Sequence, residues 1–121
     1  MYLFKTSGAS FKSVIENQKH AFKGIPKEIK PGELILVSKN KADIVDGEKQ
    51  IQFIMHYEGA RTANDSEINI LWPGNSGRWN WIIDCSDTQV LEEPFDLDEV
   101  IGPDRYAHYR NVMTFCKILS E

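Results

Sequence analysis

Lys30-Pro31-Gly32-Glu33-Leu34-Ile35-Leu36-Val37 is a turn followed by four consecutive apolar residues. Pro31 and Gly32 favour chain reversal, and the run after them has strand length but no polar alternation. A strand of that kind is covered on both faces. The stretch therefore predicts a central strand over Leu34–Val37, with other elements packed on either side of its sheet.

Working outward, Tyr2-Leu3-Phe4-Lys5 reads as a first strand, closed by Ser7-Gly8. A helix is expected from Ser10, whose hydroxyl caps it, with Phe11, Val14 and Ile15 at helical spacing and Lys12, Glu16 and Lys19 outward. It stops before Gly24, and His20–Pro26 reads as a loop. Beyond the central strand, Lys39–Gln50 carries turn residues and charges, with a short strand at Ile44-Val45 as an option. Ile51–Tyr57 alternates with the period of a strand, and Ala60–Glu67 is polar and irregular. Ile68–Trp72 reads as a strand that pairs with Arg78–Cys85 across the turn cluster Pro73–Gly77. Val90-Leu91 and Pro94-Phe95 lead to Asp96, the cap of a short helix Leu97–Ile101 that Gly102-Pro103 terminates. A closing helix is expected over Asp104–Leu119, with Tyr109, Val112, Met113, Cys116 and Leu119 on its apolar face. This order describes an α+β domain over residues 1–121, a curved or closed, barrel-like mixed sheet with helices at its rims.

The composition fits one folded domain: 121 residues, 41% hydrophobic, 11% aromatic and 26% charged. No apolar run approaches the ~18 residues of a membrane span. With no secretion signal, cytoplasmic residence with free thiols at Cys85 and Cys116 is the expectation. The net charge of −4 argues against a polyanionic partner until it is resolved along the chain. Met1–Lys41 carries eight lysines against three acids, a net +5, and the remainder six basic against fifteen acidic residues, a net −9. Folding can gather the basic third into one face or leave its lysines scattered over the surface.

The sequence holds no GxSxG, HExxH, P-loop or GxGxxG pattern, and His20, His56 and His108 lie far apart. Glu92-Glu93, Asp96 and Asp98-Glu99 sit where a solvated, capped helix start places carboxylates. Neither catalysis, a metal nor a cofactor is expected. The aromatic residues stand out instead: Trp72, Trp79 and Trp81 flank one Gly-rich turn, and Phe22 sits among lysines. Such rings either stack on a planar ligand or pack inward. Trp79 and Trp81 share a face with Ile83, which favours the core, and Trp72 is the freest.

The succession of Phe4-Lys5-Thr6-Ser7, a helix, Phe22-Lys23-Gly24-Ile25-Pro26, Pro31-Gly32-Glu33 before an apolar strand, and Trp72 through Gly77-Arg78-Trp79-Asn80-Trp81 resembles the PUA-like superfamily, nearest its EVE and YTH branches. The resemblance runs to about Phe95. It implies a non-catalytic reader that captures a modified base, methylated or hydroxymethylated, in an aromatic cage. Lys5 and Ser7 then edge the pocket, Phe22 is the cage aromatic, and Trp72 is the opposing wall, with Trp79 and Trp81 beside it. Thr6 separates Lys5 from Ser7, and Phe22 stands where the YTH form has Trp. Lys19, Lys23, Lys39 and Lys41 are candidates for the nucleic-acid backbone. Modified DNA is the expected partner ahead of RNA. A nuclease or GTP-driven motor, as subunit or fused domain, is the companion that the resemblance implies for a restriction system. RNA binding, or a protein contact through the acidic C-terminal part, is the alternative.

Overall fold

The computed structural model describes residues 1–24, 26, 28–104 and 115–118, with Lys41 and Cys116 described in backbone only. Its elements are β1 (Tyr2–Thr6), α1 (Gly8–Asn17), β2 (Lys19–Phe22), β3 (Leu34–Lys39), β4 (Ile51–Thr62), α2 (Asp65–Leu71), β5 (Trp81–Phe95), α3 (Leu97–Ile101) and β6 (Phe115–Lys117), with a 3-10 turn at Lys41–Asp43. The strands form one mixed sheet in the order β2-β5-β4-β3-β1-β6. β3 is internal, parallel to β1 and antiparallel to β4.

Ile35, Leu36 and Val37 are all buried because they face both ways. Ile35 and Val37 join Tyr2, Phe4, Met55, Tyr57 and Ile83 inside the sheet's concave face, closed by Val14 of α1. Leu36 joins Leu3, Ile51 and Leu97 of α3 on the other face. The sheet curls until its two edge strands touch through side chains, the rings of Phe22 on β2 and Phe115 on β6 being 4.9 Å apart. It is curved but not closed, since β2 and β6 remain its edges.

Several local expectations are corrected. α1 starts at Gly8, with Ser7 as cap: its Oγ accepts from the Ser10 amide at 3.2 Å. A Cβ at position 8 would lie 3.2 Å from Asp43 Cβ, so a side chain there obliges the Asp43 side chain to shift by a few tenths of an ångström. Lys19–Phe22 is strand rather than loop, held by antiparallel pairing to β5. Ile44-Val45 forms no strand, and Val45 is exposed. β4 runs on through Ala60–Thr62, which composition alone reads as irregular.

Ile68–Leu71 lies in a helix. Asn64 caps it by accepting from the Glu67 amide at 2.8 Å, and Ile68 and Trp72, four apart, turn inward while Ile70 is 80% exposed. The expected hairpin is thus replaced by a β4–α2–β5 connection, and Trp79 precedes β5 instead of lying on it. β5 runs on to Phe95, taking in Val90-Leu91. α3 begins as expected after Asp96, whose amide donates to Glu99 Oε2 at 3.2 Å. Phe115–Lys117 is a strand paired with β1, so the closing helix does not reach Cys116. Its remaining positions Tyr109, Val112, Met113 and Leu119, with His108, lie outside the described residues.

Candidate nucleic-acid interface

A cleft of about 290 Å³ opens between the end of β1, the first turn of α1, β2 and the turn cluster before β5. β1 brings Lys5 and Thr6, the α1 cap brings Ser7, and the turn brings Asn75, Arg78 and Trp79. Among the described residues no acid lines it. A second hollow of about 360 Å³ is lined by Asp46, Glu48, Asp96 and Asp98 and suits no polyanion. There Lys49 neutralises Asp96 and Glu99, at 3.5 and 2.7 Å.

The turn cluster is self-bracing. Asn75 Nδ2 donates to the Trp72 carbonyl at 3.0 Å, and its Oδ1 accepts from Arg78 at 2.8 Å. The Gly77 amide donates to Asp65 Oδ1 at 3.0 Å, fixing the turn to α2. Gly74 and Gly77 adopt positive φ, at 86° and 76°, where a side chain is strained. The Arg78 guanidinium lies 4.9 Å from the Trp79 ring centroid. Trp79 is partly exposed, and its indole backs edge-on against Trp72 at 5.6 Å.

Trp72 and Trp79 are exchanged relative to the sequence expectation, and Trp81 packs toward the core as its shared face with Ile83 favours. Trp72 is only 3% exposed and packs with Ala21, Ile68 and Ile82 beneath α2. Trp81 faces the core inside the curved sheet. Phe22, expected in a loop, is a core residue on β2, 5.0 Å from Phe4. Of the six positions expected around a base, Lys5, Ser7 and Trp79 line the cleft, while Phe22, Trp72 and Trp81 are not among its lining residues.

His20, Asn40, Asn75 and Arg78 also line the cleft, unforeseen by sequence reading. His20 is 5% exposed, and its Nδ1 accepts from the Ala21 amide at 2.9 Å. Burial lowers its pKa to about 4, against the opposing pull of a hydrogen bond to the Lys5 backbone. It presents a neutral ring at neutral pH. Its only legible signal is an aromatic next to an aromatic strand pair, which does not point to a cleft.

The basic third does not form one free face. Lys19 pairs with Asp84 at 2.6 Å, and Lys39 pairs with Glu48 at 3.0 Å while lying 5.2 Å above the Phe11 ring. The acidic remainder thus folds back onto two of the four lysines assigned to the backbone. Lys23 is exposed beside the turn cluster, its carbonyl accepting from Asn80 at 3.1 Å, and the side chain of Lys41 lies outside the described residues. Asp84 is a hub, also accepting from Arg61 Nε at 3.0 Å, and Arg61 in turn grips Glu67 of α2 with both terminal nitrogens. Burial raises the Asp84 pKa, but the Lys19 and Arg61 hydrogen bonds outweigh it and hold the carboxyl below its ordinary range. Burial pushes the Cys85 thiol up to about 12, far from a reactive thiolate. Among the described residues no helix is long and apolar enough to cross a membrane.

No protein-family model matches the sequence, and no curated protein matches it. Solved structures do. The ASCH protein of Zymomonas mobilis superposes with a TM-score of 0.63 at 12% identity, covering 98% of this chain and 87% of that one. Two single-substitution variants of it give 0.66 at 10% identity and 0.64 at 9%, each over 98% of this chain and over 89% and 87% of theirs. At such identity the likeness is one of fold. ASCH domains are PUA-like, and the curved, open α+β sheet of this chain has the PUA-like fold.

Proposed function

We propose that the cleft receives a base carried by nucleic acid and that the domain binds without chemistry of its own. The observation that carries the reading is Trp79: a partly exposed indole, braced by Trp72 and Arg78, beside a hollow with Lys5 and Arg78 and no acid among its described lining. A flipped base costs a few kcal/mol to extrude, and stacking on one aromatic returns about 1–3 kcal/mol of that. A methylated or hydroxymethylated base, in DNA ahead of RNA, is the ligand this reading assigns. Lys5, Arg78 and Lys23 supply sequence-independent attraction to phosphates. Any cleavage or remodelling of the bound strand falls to a separate subunit or domain.

The test is a titration of labelled duplexes and single strands, with and without 5-methylcytosine, 5-hydroxymethylcytosine or N6-methyladenine, at two salt concentrations. Binding that favours one modified strand and weakens with salt is expected. If no strand binds at low salt, the proposal fails.

A further inference from the structure

We infer that the hydroxyl of Thr6 is the group with which the cleft reads its ligand, by a hydrogen bond to the polar edge of a heterocycle seated against Trp79. The inference rests on the base-capture reading and deepens it. Thr6 lines the cleft, yet it is 2% exposed and its Oγ1 makes no hydrogen bond among the described residues. Burying a hydroxyl without a partner is unfavourable, whereas an apolar group of the same shape carries no such penalty.

Valine has that shape and suits a strand next to Tyr2, Leu3 and Phe4 better. Fold stability therefore does not explain the hydroxyl.

Ser7, His20 and Asn75 around the cleft are already engaged within the fold. Ser7 Oγ caps α1, His20 Nδ1 accepts from Ala21, and the Asn75 amide is held by Trp72 and Arg78. The leading amide of α1 is taken too, since Gly8 donates to Asp43 Oδ2 at 3.1 Å, so the helix start is not an empty anion seat. Among the described residues, Thr6 is the buried polar side chain of the lining whose hydroxyl has no partner. A site with a buried polar group discriminates strongly, because a ligand lacking the complementary atom leaves that group unpaired.

The experiment compares wild type, Thr6→Val and Thr6→Ser by calorimetric titration with 5-methyl- and 5-hydroxymethyl-2′-deoxycytidine, N6-methyl-2′-deoxyadenosine and their unmodified parents, alongside thermal melts without ligand. Thr6→Val is expected to bind the preferred nucleoside about tenfold or more weakly while melting no lower than wild type. Thr6→Ser should stay within about threefold, because it keeps the hydroxyl. Equal binding by wild type and Thr6→Val overturns the inference and leaves base capture standing. A drop in melting temperature for Thr6→Val also overturns it, since the hydroxyl would then serve the fold. If wild type binds none of the nucleosides, base capture falls and the inference falls with it.

Discussion

Replacing Trp79 and Trp72 in turn separates a ligand-facing ring from the ring behind it. Trp79 is partly exposed on the cleft, so Trp79→Ala removes a stacking surface worth about 1–3 kcal/mol, a loss of about 5- to 150-fold in affinity. Within the fold it makes edge-on contacts with Trp72 and His20 and a cation–π contact with Arg78, so its stability cost is about 1–3 kcal/mol. Trp72 is 3% exposed among Ala21, Ile68 and Ile82, and Trp72→Ala empties a core site at a cost of about 3–5 kcal/mol. That is a large part of the ~5–15 kcal/mol that holds a domain together. Urea unfolding gives the two stabilities, and fluorescence anisotropy with a labelled, modified duplex gives the two affinities. The expected pattern is a folded, weak-binding Trp79→Ala and a strongly destabilised Trp72→Ala. The reasoning is refuted if Trp79→Ala binds as wild type, or if Trp72→Ala keeps its stability and loses binding.

Two further outcomes follow from titratable groups inside the fold. The folded-state pKa of His20, about 4, lies below the unfolded 6.5, so the unfolded chain takes up the proton first as pH falls. Stability is complete above pH ~6.5 and declines toward pH 4 by roughly 3 kcal/mol, and His20→Asn should lose that part of the slope in urea titrations across this range; identical slopes would count against it. Asp84→Asn strips Lys19 and Arg61 of a partly buried partner and should cost about 1–3 kcal/mol. Because the Asp84 pKa is depressed, its contribution is present above the ordinary carboxylate range and lost in acid, so wild type and variant should converge in stability at low pH.

What the sequence discloses depends on whether a signal is local. β3 is legible because burial on both faces removes all polar alternation from Leu34–Val37, and α3 is legible because Asp96 and Glu99 form their cap within four residues. Ile68–Trp72 is too short to tell a period of two from one of 3.6, and the deciding contact is the Asn64 cap upstream. β2 and β6 are strands because distant partners pair with them, β5 and β1 respectively, and nothing in four or three residues announces that. The site follows the same rule. Lys5 lies on β1 and Ser7 follows directly after it. The exchange of roles between Trp72 and Trp79 depends on α2, which the alternating pattern concealed. Asn40, Asn75, Arg78 and His20 meet only when the 3-10 turn, the turn cluster and β2 converge, and their sequence neighbourhoods carry no trace of it.

β1 lies between β3 and β6. β1 is therefore flanked on one side by β6, a strand synthesised long after it. Tyr2–Thr6 finds its parallel partner once Leu34–Lys39 emerge, but its other row of amides and carbonyls stays open until Phe115–Lys117 clear the exit tunnel. Between those two events the nascent chain displays an unpaired apolar edge, Tyr2-Leu3-Phe4, of the kind that recruits other strands.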